Sequence, residues 1–160
     1  MGIIVAIAVI VLDQGIKLLI RTNMTEGGSV PVIKNIFHLT YIQNPGAAFG
    51  FFAHRTYFFV VASLLVVGLV VYYYRKLPKE KYFLRIALGL LVGGALGNTI
   101  DRVRLGKVID FLDFKVWPYI FNLADAAVVV GSGILILYLL NWDKWGAKQG
   151  IFGDRKKREV

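Results

Sequence analysis

No cysteine occurs in the 160 residues, which removes disulfides, thiol nucleophiles and cysteine-held metals together. Compartment stays open, because a chain without cysteine suits either redox environment. Histidine is nearly as scarce. His38 and His54 are the only two, and no HExxH helix accompanies them to hold a zinc ion. They read as polar residues of a loop. Serine is limited to Ser29, Ser63 and Ser132. Ser63 and Ser132 lie well inside apolar segments, so a serine–lysine pair with Lys17 has little support. Charged residues make up only 18% of the chain, against about 25% in soluble domains.

Long apolar runs take their place. Four segments, at about 2–20, 56–74, 86–102 and 121–140, approach the roughly 20 apolar residues that a hydrocarbon core requires. The expected fold is an all-α integral membrane protein of four transmembrane helices, one domain over 1–160. The first run lacks a basic leader and a small-x-small site, so it reads as a retained span rather than a cleaved signal. The second, TYFFVVASLLVVGLVVYYY, has no ionisable group except terminal tyrosines and reads as a lipid-facing structural element. The third carries Gly89, Gly93 and Gly97 at four-residue spacing, three bare backbone patches against which a neighbouring helix can pack closely.

A formal net charge of +9 first suggests nucleic acid, but the cations are placed otherwise. Arg75, Lys76, Lys79, Lys81 and Arg85 fill one inter-span loop, and Lys144 to Arg158 belong to a basic tail at about 143–160. Positive charge beside apolar runs sets membrane orientation. Both termini and the 75–85 loop are therefore expected in the cytoplasm, in contact with lipid headgroups and without a nucleic-acid partner. The loop at about 23–54, with Lys34 alone, and the loop at 103–120 face outside. IFHLTYI followed by Asn44-Pro45-Gly46 predicts a small sheet or hairpin on the membrane surface. Trp117, Pro118 and Tyr119 read as interfacial anchors.

Five of the ten acidic residues lie in or beside apolar segments: Asp13, Asp101, Asp110, Asp113 and Asp125. An ionised aspartate at a bilayer centre costs about 2.5–3.5 kcal/mol on insertion scales, so such groups face a cavity or a partner. With the orientation above, all but Asp13 sit near the outer boundary. Asp13 and Lys17 suit an i,i+4 ion pair, equally well a part in shaping a site. Asp101 beside Arg102 reads first as an interfacial anchor. Asp125 has no cation along the helix that follows it, so its partner must come from elsewhere. Two carboxylates at a half-dry boundary share one proton: the ionised member takes a proton from water, the protonated member donates to a carbonyl oxygen. Asn98, Asn122 and Asn44 are placed to orient such carboxylates or to bind substrate backbone, and Asn122 also suits a helix cap. Spacing does not choose among Asp101, Asp110 and Asp113 as the partner of Asp125. A small proton- or cation-coupled transporter is the alternative. It predicts carboxylates spread through the bilayer, whereas only Asp13 lies deep. A membrane adaptor without enzymatic activity predicts that the aspartates are dispensable.

DQGIK (13–17), NPGAAFG (44–50), GGALGNTIDR (93–102), GKVIDFLDF (106–114) and FNLAD (121–125), in this order and spacing, resemble the signature segments of the bacterial lipoprotein signal peptidases, signal peptidase II. The resemblance spans essentially the whole chain. It implies an aspartic endopeptidase of the bacterial cytoplasmic (inner) membrane that cleaves diacylglyceryl-modified prolipoproteins just before the lipidated cysteine. It implies Asp110 and Asp125 as the catalytic pair. Asp13, Lys17, Asn44, Gly46, Asn98, Asp101, Arg102 and Asn122 match positions that line or support the site. It also implies a small extracytoplasmic β-cradle and a short extracytoplasmic helix beside the four spans. The expected enzyme is a monomer without cofactor or metal.

Overall fold

The computed structural model describes residues 1–46 and 56–140. His54, the second half of NPGAAFG and the basic tail fall outside that range. Four long helices are present: α1 (Gly2–Asn23), α2 (Thr56–Lys76), α3 (Tyr82–Leu105) and α4 (Leu123–Leu140). All four are long and apolar enough to cross a membrane, and the chain is a multi-pass membrane protein. The short extra helix is not found among the described residues, whose helices are these four.

α3 is the centre of the bundle, packing against each of the other three helices. Its glycines make this possible. A side chain at Gly89 would drive its Cβ into the carbonyl oxygen of Gly2 on α1, and one at Gly94 would collide with the carbonyl oxygen of Ala124 on α4. Only a bare Cα lets the backbones come so near. α2 leans chiefly on α3 and buries none of its residues, as expected for a lipid-facing span.

α3 starts earlier than its apolar run, at Tyr82 inside the basic loop, and it ends at Gly106. That residue adopts φ 73°, and its N–H donates to the carbonyl of Arg102. A left-handed residue of this kind closes a helix and frees the chain to turn. α4 starts later than expected, at Leu123, because Phe121 is drawn into a strand and Asn122 becomes the cap.

Strands β1 (Ser29–Ile33), β2 (Phe37–Asn44), β3 (Val108–Phe114) and β4 (Ile120–Phe121) form one antiparallel sheet in the order β1-β2-β3-β4. The small sheet expected beside the four spans is present, and besides residues 37–44 it takes in Val108–Phe114 and Ile120–Phe121 from the segment read as the 103–120 loop. VIDFLDF does not declare itself, because its aspartates at three-residue spacing break the alternation expected of a strand. It is fixed by pairing with β2, in which Ile42 opposes Asp110 and Asn44 opposes Val108. The sheet sits at the end of the bundle where α1 and α3 finish and α4 begins, seated by a core of Ile20, Tyr41, Ile109 and Phe111.

Candidate active site

The site lies where β3, the end of β2 and the start of α4 meet. Asp110, on β3, is buried; Asp125, in the first turn of α4, is half-buried. One residue joins them. The side-chain amide of Asn122 donates to Asp110 Oδ1 at 2.6 Å. Its side-chain oxygen accepts the N–H of Asp125 at 2.9 Å, while Asp125 Oδ2 accepts the N–H of Asn122 at 3.2 Å. The latter two bonds are a reciprocal helix cap, which satisfies amides that a helix start leaves unpaired. Asn122 thus caps α4 and orients both carboxyls at once.

The other oxygens are also served by amides. Asn44 and Asp110 are diagonal neighbours on one face of the β2–β3 pair, and Asn44 donates to Asp110 Oδ2 at 3.0 Å. Asn98 on α3 donates to Asp125 Oδ1 at 2.7 Å. Each carboxyl oxygen accepts one N–H and keeps a second lone pair. Burial, and then the negative charge of Asp125, push the Asp110 carboxyl up to about 7, against the pull of its two asparagine donors.

Asn44 does more than touch Asp110. Its side-chain oxygen accepts the N–H of Gly46 at 3.0 Å, and the Gly46 carbonyl accepts from the Arg102 guanidinium at 3.3 Å. The C-terminal end of α3 is thereby fastened to the turn that follows β2. The neighbour of Arg102 faces inward. Asp101 is buried and lies 2.8 Å from Lys17 Nζ, which also lies 2.8 Å from Asp13 and donates to Asn98 at 3.1 Å. The expectation of Asp101 as an interfacial anchor is corrected here: a buried carboxylate in the last turns of α3 takes the nearest cation, and that cation is on α1. The intrahelical pair Asp13–Lys17 exists, but as part of this wider group.

Every candidate site residue therefore belongs to one connected network: Asp110, Asn44, Gly46 and Arg102 on one side of Asn122, and Asp125, Asn98, Lys17, Asp13 and Asp101 on the other. Asp113 does not join it. An odd spacing from Asp110 along β3 turns it to the opposite face, where Thr40 and Lys115 donate to it. Burial opposes ionisation there, yet those bonds and the Lys115 charge hold the Asp113 carboxyl below its ordinary range. Gln14 was not singled out from the sequence, although it donates to Asp101 Oδ1 at 2.9 Å and to the Gly97 carbonyl at 3.1 Å. Its signal was there to read: an uncharged amide next to Asp13, in a run that is otherwise apolar.

Comparison with known proteins bears on the chain as a whole. Residues 5–141 match the family model described as signal peptidase (SPase) II. A lipoprotein signal peptidase of Halothermothrix orenii is 49% identical over 143 residues, 89% of this chain and 97% of the relative. One from Moorella thermoacetica is 50% identical over 138 residues, 86% and 91% of the two chains. A solved bacterial membrane enzyme is 34% identical and superposes with a TM-score of 0.84, covering 99% of this chain and 93% of its own. With a family model matched across nearly all of its length and relatives close to half identical, this chain belongs to the signal peptidase II family.

Proposed function

We propose that the protein removes signal peptides from diacylglyceryl-modified prolipoproteins, cleaving just before the lipidated cysteine, with Asp110 and Asp125 as its catalytic pair. The observation that carries this reading is the Asn122 bridge. One amide aims a buried carboxyl, pushed up to about 7, and a half-exposed one at a common space.

At neutral pH the pair holds one proton between two groups and titrates as a unit. The ionised carboxylate takes a proton from a water molecule as its oxygen attacks the scissile carbonyl carbon. The protonated carboxyl donates to the carbonyl oxygen as negative charge builds there. The tetrahedral intermediate then collapses: the C–N bond breaks as the nitrogen of the lipidated cysteine takes the proton held by the pair, one hydroxyl of the intermediate returns a proton to the pair, and a carboxylic acid end is left on the signal peptide. Asn44, Asn98 and Asn122 hold both carboxyls through these steps without supplying a charge that would fix either as an anion.

Placement follows from the same reading. The sheet and the dyad lie at the outer face of the bacterial cytoplasmic membrane, with both termini in the cytoplasm, since the cations crowd the other end of the bundle. The acyl chains of the substrate stay in lipid, which also covers the exposed apolar side chains of α1 and α2. The protein acts as a monomer.

The test is substitution of Asp110 and of Asp125 by asparagine, read as cleavage of diacylglyceryl precursor peptide by the purified protein in lipid. Each change lowers kcat by about 100-fold or more at unchanged abundance, the share of a positioned proton donor or acceptor. Cleavage at the parent rate by either variant would remove the dyad reading.

A further inference from the structure

Asp13, Lys17 and Asp101 form a group that the cleavage chemistry leaves unused. An ammonium has three N–H donors, and each of those of Lys17 has an acceptor: Asp13 Oδ2, Asp101 Oδ2 and Asn98 Oδ1. The carboxylates reach further. Asp13 Oδ1 accepts the backbone N–H of Ala124 at 3.0 Å, and Asp101 Oδ2 accepts the backbone N–H of Ile109 at 3.1 Å. Ala124 immediately precedes Asp125, and Ile109 immediately precedes Asp110.

We propose that Asp13, Lys17 and Asp101 are a positioning clamp, which fixes the separation and aim of Asp110 and Asp125 by holding the backbone amide just before each. The proposal rests on the dyad reading given above. One arm runs from α1 to the start of α4, the other from α3 to β3, and Lys17 ties the arms together. A third link, from Lys17 through Asn98, ends on Asp125 itself. Each oxygen of the two carboxylates has a protein partner, since Gln14 takes Asp101 Oδ1, and Gly97 brings its bare backbone against Asp13. A Cβ at Gly97 would stand 2.8 Å from Asp13 Oδ2, so that glycine is needed by the clamp and not only by helix packing. A hydrogen-bonded ion group has one geometry, whereas apolar contacts in its place would let α4 and β3 slide past one another. Small displacements matter here, because about 1 Å of misplacement in an active site costs about 100-fold in rate.

Asp101→Asn is the direct test, measured on the full-length protein in lipid with diacylglyceryl precursor peptide and thermal unfolding followed in parallel. Gly131→Ala is the matched control. It disturbs packing away from the dyad, where a Cβ would meet the Ala87 carbonyl at 2.8 Å. Asp101→Asn lowers kcat by about 10- to 100-fold with KM within about twofold. It also moves the alkaline limb of the pH–kcat profile to lower pH. Asp110 is faced by Asp125 from α4, Asn44 from β2, Asn122 and the more distant Lys17, and weaker contact with Asp125 lessens the upward push on its carboxyl. Gly131→Ala, at a similar loss of thermal stability, leaves the pH profile where it was. If Asp101→Asn does not accumulate, Gln14→Met gives the same reading with a smaller loss of kcat and a limb displaced in the same direction. The clamp is overturned if Asp101→Asn, or Gln14→Met in its place, keeps the parent pH profile, or if its kcat falls only as Gly131→Ala does. Asp110→Asn separates the two ideas. If it still cleaves, the dyad reading itself fails; if it is inactive while Asp101→Asn behaves as the parent, only the clamp is lost.

Discussion

Asp13 and Asp101 lie one hydrogen-bonded link away from Asp110 and Asp125, yet the two pairs are served differently. The first pair shares an ammonium at 2.8 Å from each member. The second receives neutral donors, from Asn44, Asn98, Asn122 and the backbone of Asn122, and Lys17 acts on it only at a distance. A cation in contact stabilises the charged form of a carboxyl whatever else surrounds it. Neutral amides hold position and leave protonation to burial and to the partner carboxyl. The type of donor, more than depth alone, distinguishes the two pairs.

The strongest way to break that comparison is to remove the ammonium. Lys17→Met keeps most of the side-chain volume and leaves Asp13 and Asp101 buried beside one another without a cation. Breaking a buried ion group in this manner costs about 3–5 kcal/mol. The variant is expected to unfold at much lower temperature, or to disappear from membranes, as measured by thermal unfolding in detergent and by abundance in cells. If Lys17→Met is as stable as the parent, the first pair is not held by its cation, and the distinction between the pairs collapses.

A pH series sharpens the other half. Asp110 is raised from 3.8 to about 7 on folding, so the folded state binds its proton more tightly than the unfolded chain. Stability from this group is intact below the unfolded value, declines as pH climbs from about 4 to 7, and stays low above that. At about 1.4 kcal/mol per unit, the parent gives up a few kcal/mol across the window. Asp110→Asn carries no such charge. Its unfolding temperature should fall less than the parent's between pH 5 and pH 8, even though the variant no longer cleaves. Stability gained where activity is lost is the mark of a reactive group held at a cost, and equal slopes for the two proteins would contradict it.

How far these relations could be read in advance differs by scale. The four spans were legible because an apolar run of about 20 residues is a local property that no tertiary contact reverses. The glycine spacing of α3 likewise announced a close neighbour, though not that α1 and α4 would both use it. β3 was not legible: VIDFLDF becomes a strand by pairing with residues some seventy positions away, and nothing within it says so. Asp101 and Arg102 illustrate the limit more sharply. Adjacent residues on a helix point about 100° apart, so one turns inward to Lys17 while the other reaches out to Gly46. Spacing shows which residues share a face of one helix, not which helix that face will meet. For the same reason the choice of Asp110 over Asp101 and Asp113 came from family resemblance and not from the residues themselves.

Asp113 supplies the smallest effect and the cleanest control, because it shares a strand with Asp110 and differs in its surroundings. Its carboxylate accepts from Thr40 at 2.6 Å and from Lys115, a side chain 38% exposed, and it points away from Asn122. Asp113→Asn should leave kcat within about twofold and cost no more than about 1 kcal/mol at pH 7, the range of a solvent-screened pair. The pH dependence has the opposite sign to that of Asp110. Because folding holds the Asp113 carboxyl below its ordinary value, its contribution is present above the unfolded value and fades as pH falls through the carboxylate range. Parent and Asp113→Asn should therefore differ in unfolding temperature at pH 7 and converge on acidification, while parent and Asp110→Asn diverge on going alkaline. One strand thus holds two aspartates whose substitutions change stability in opposite directions as pH rises, Asp113→Asn falling below the parent and Asp110→Asn rising above it; if both fall below the parent, the neutral amides around Asp110 do not set it apart from a carboxylate paired with a lysine.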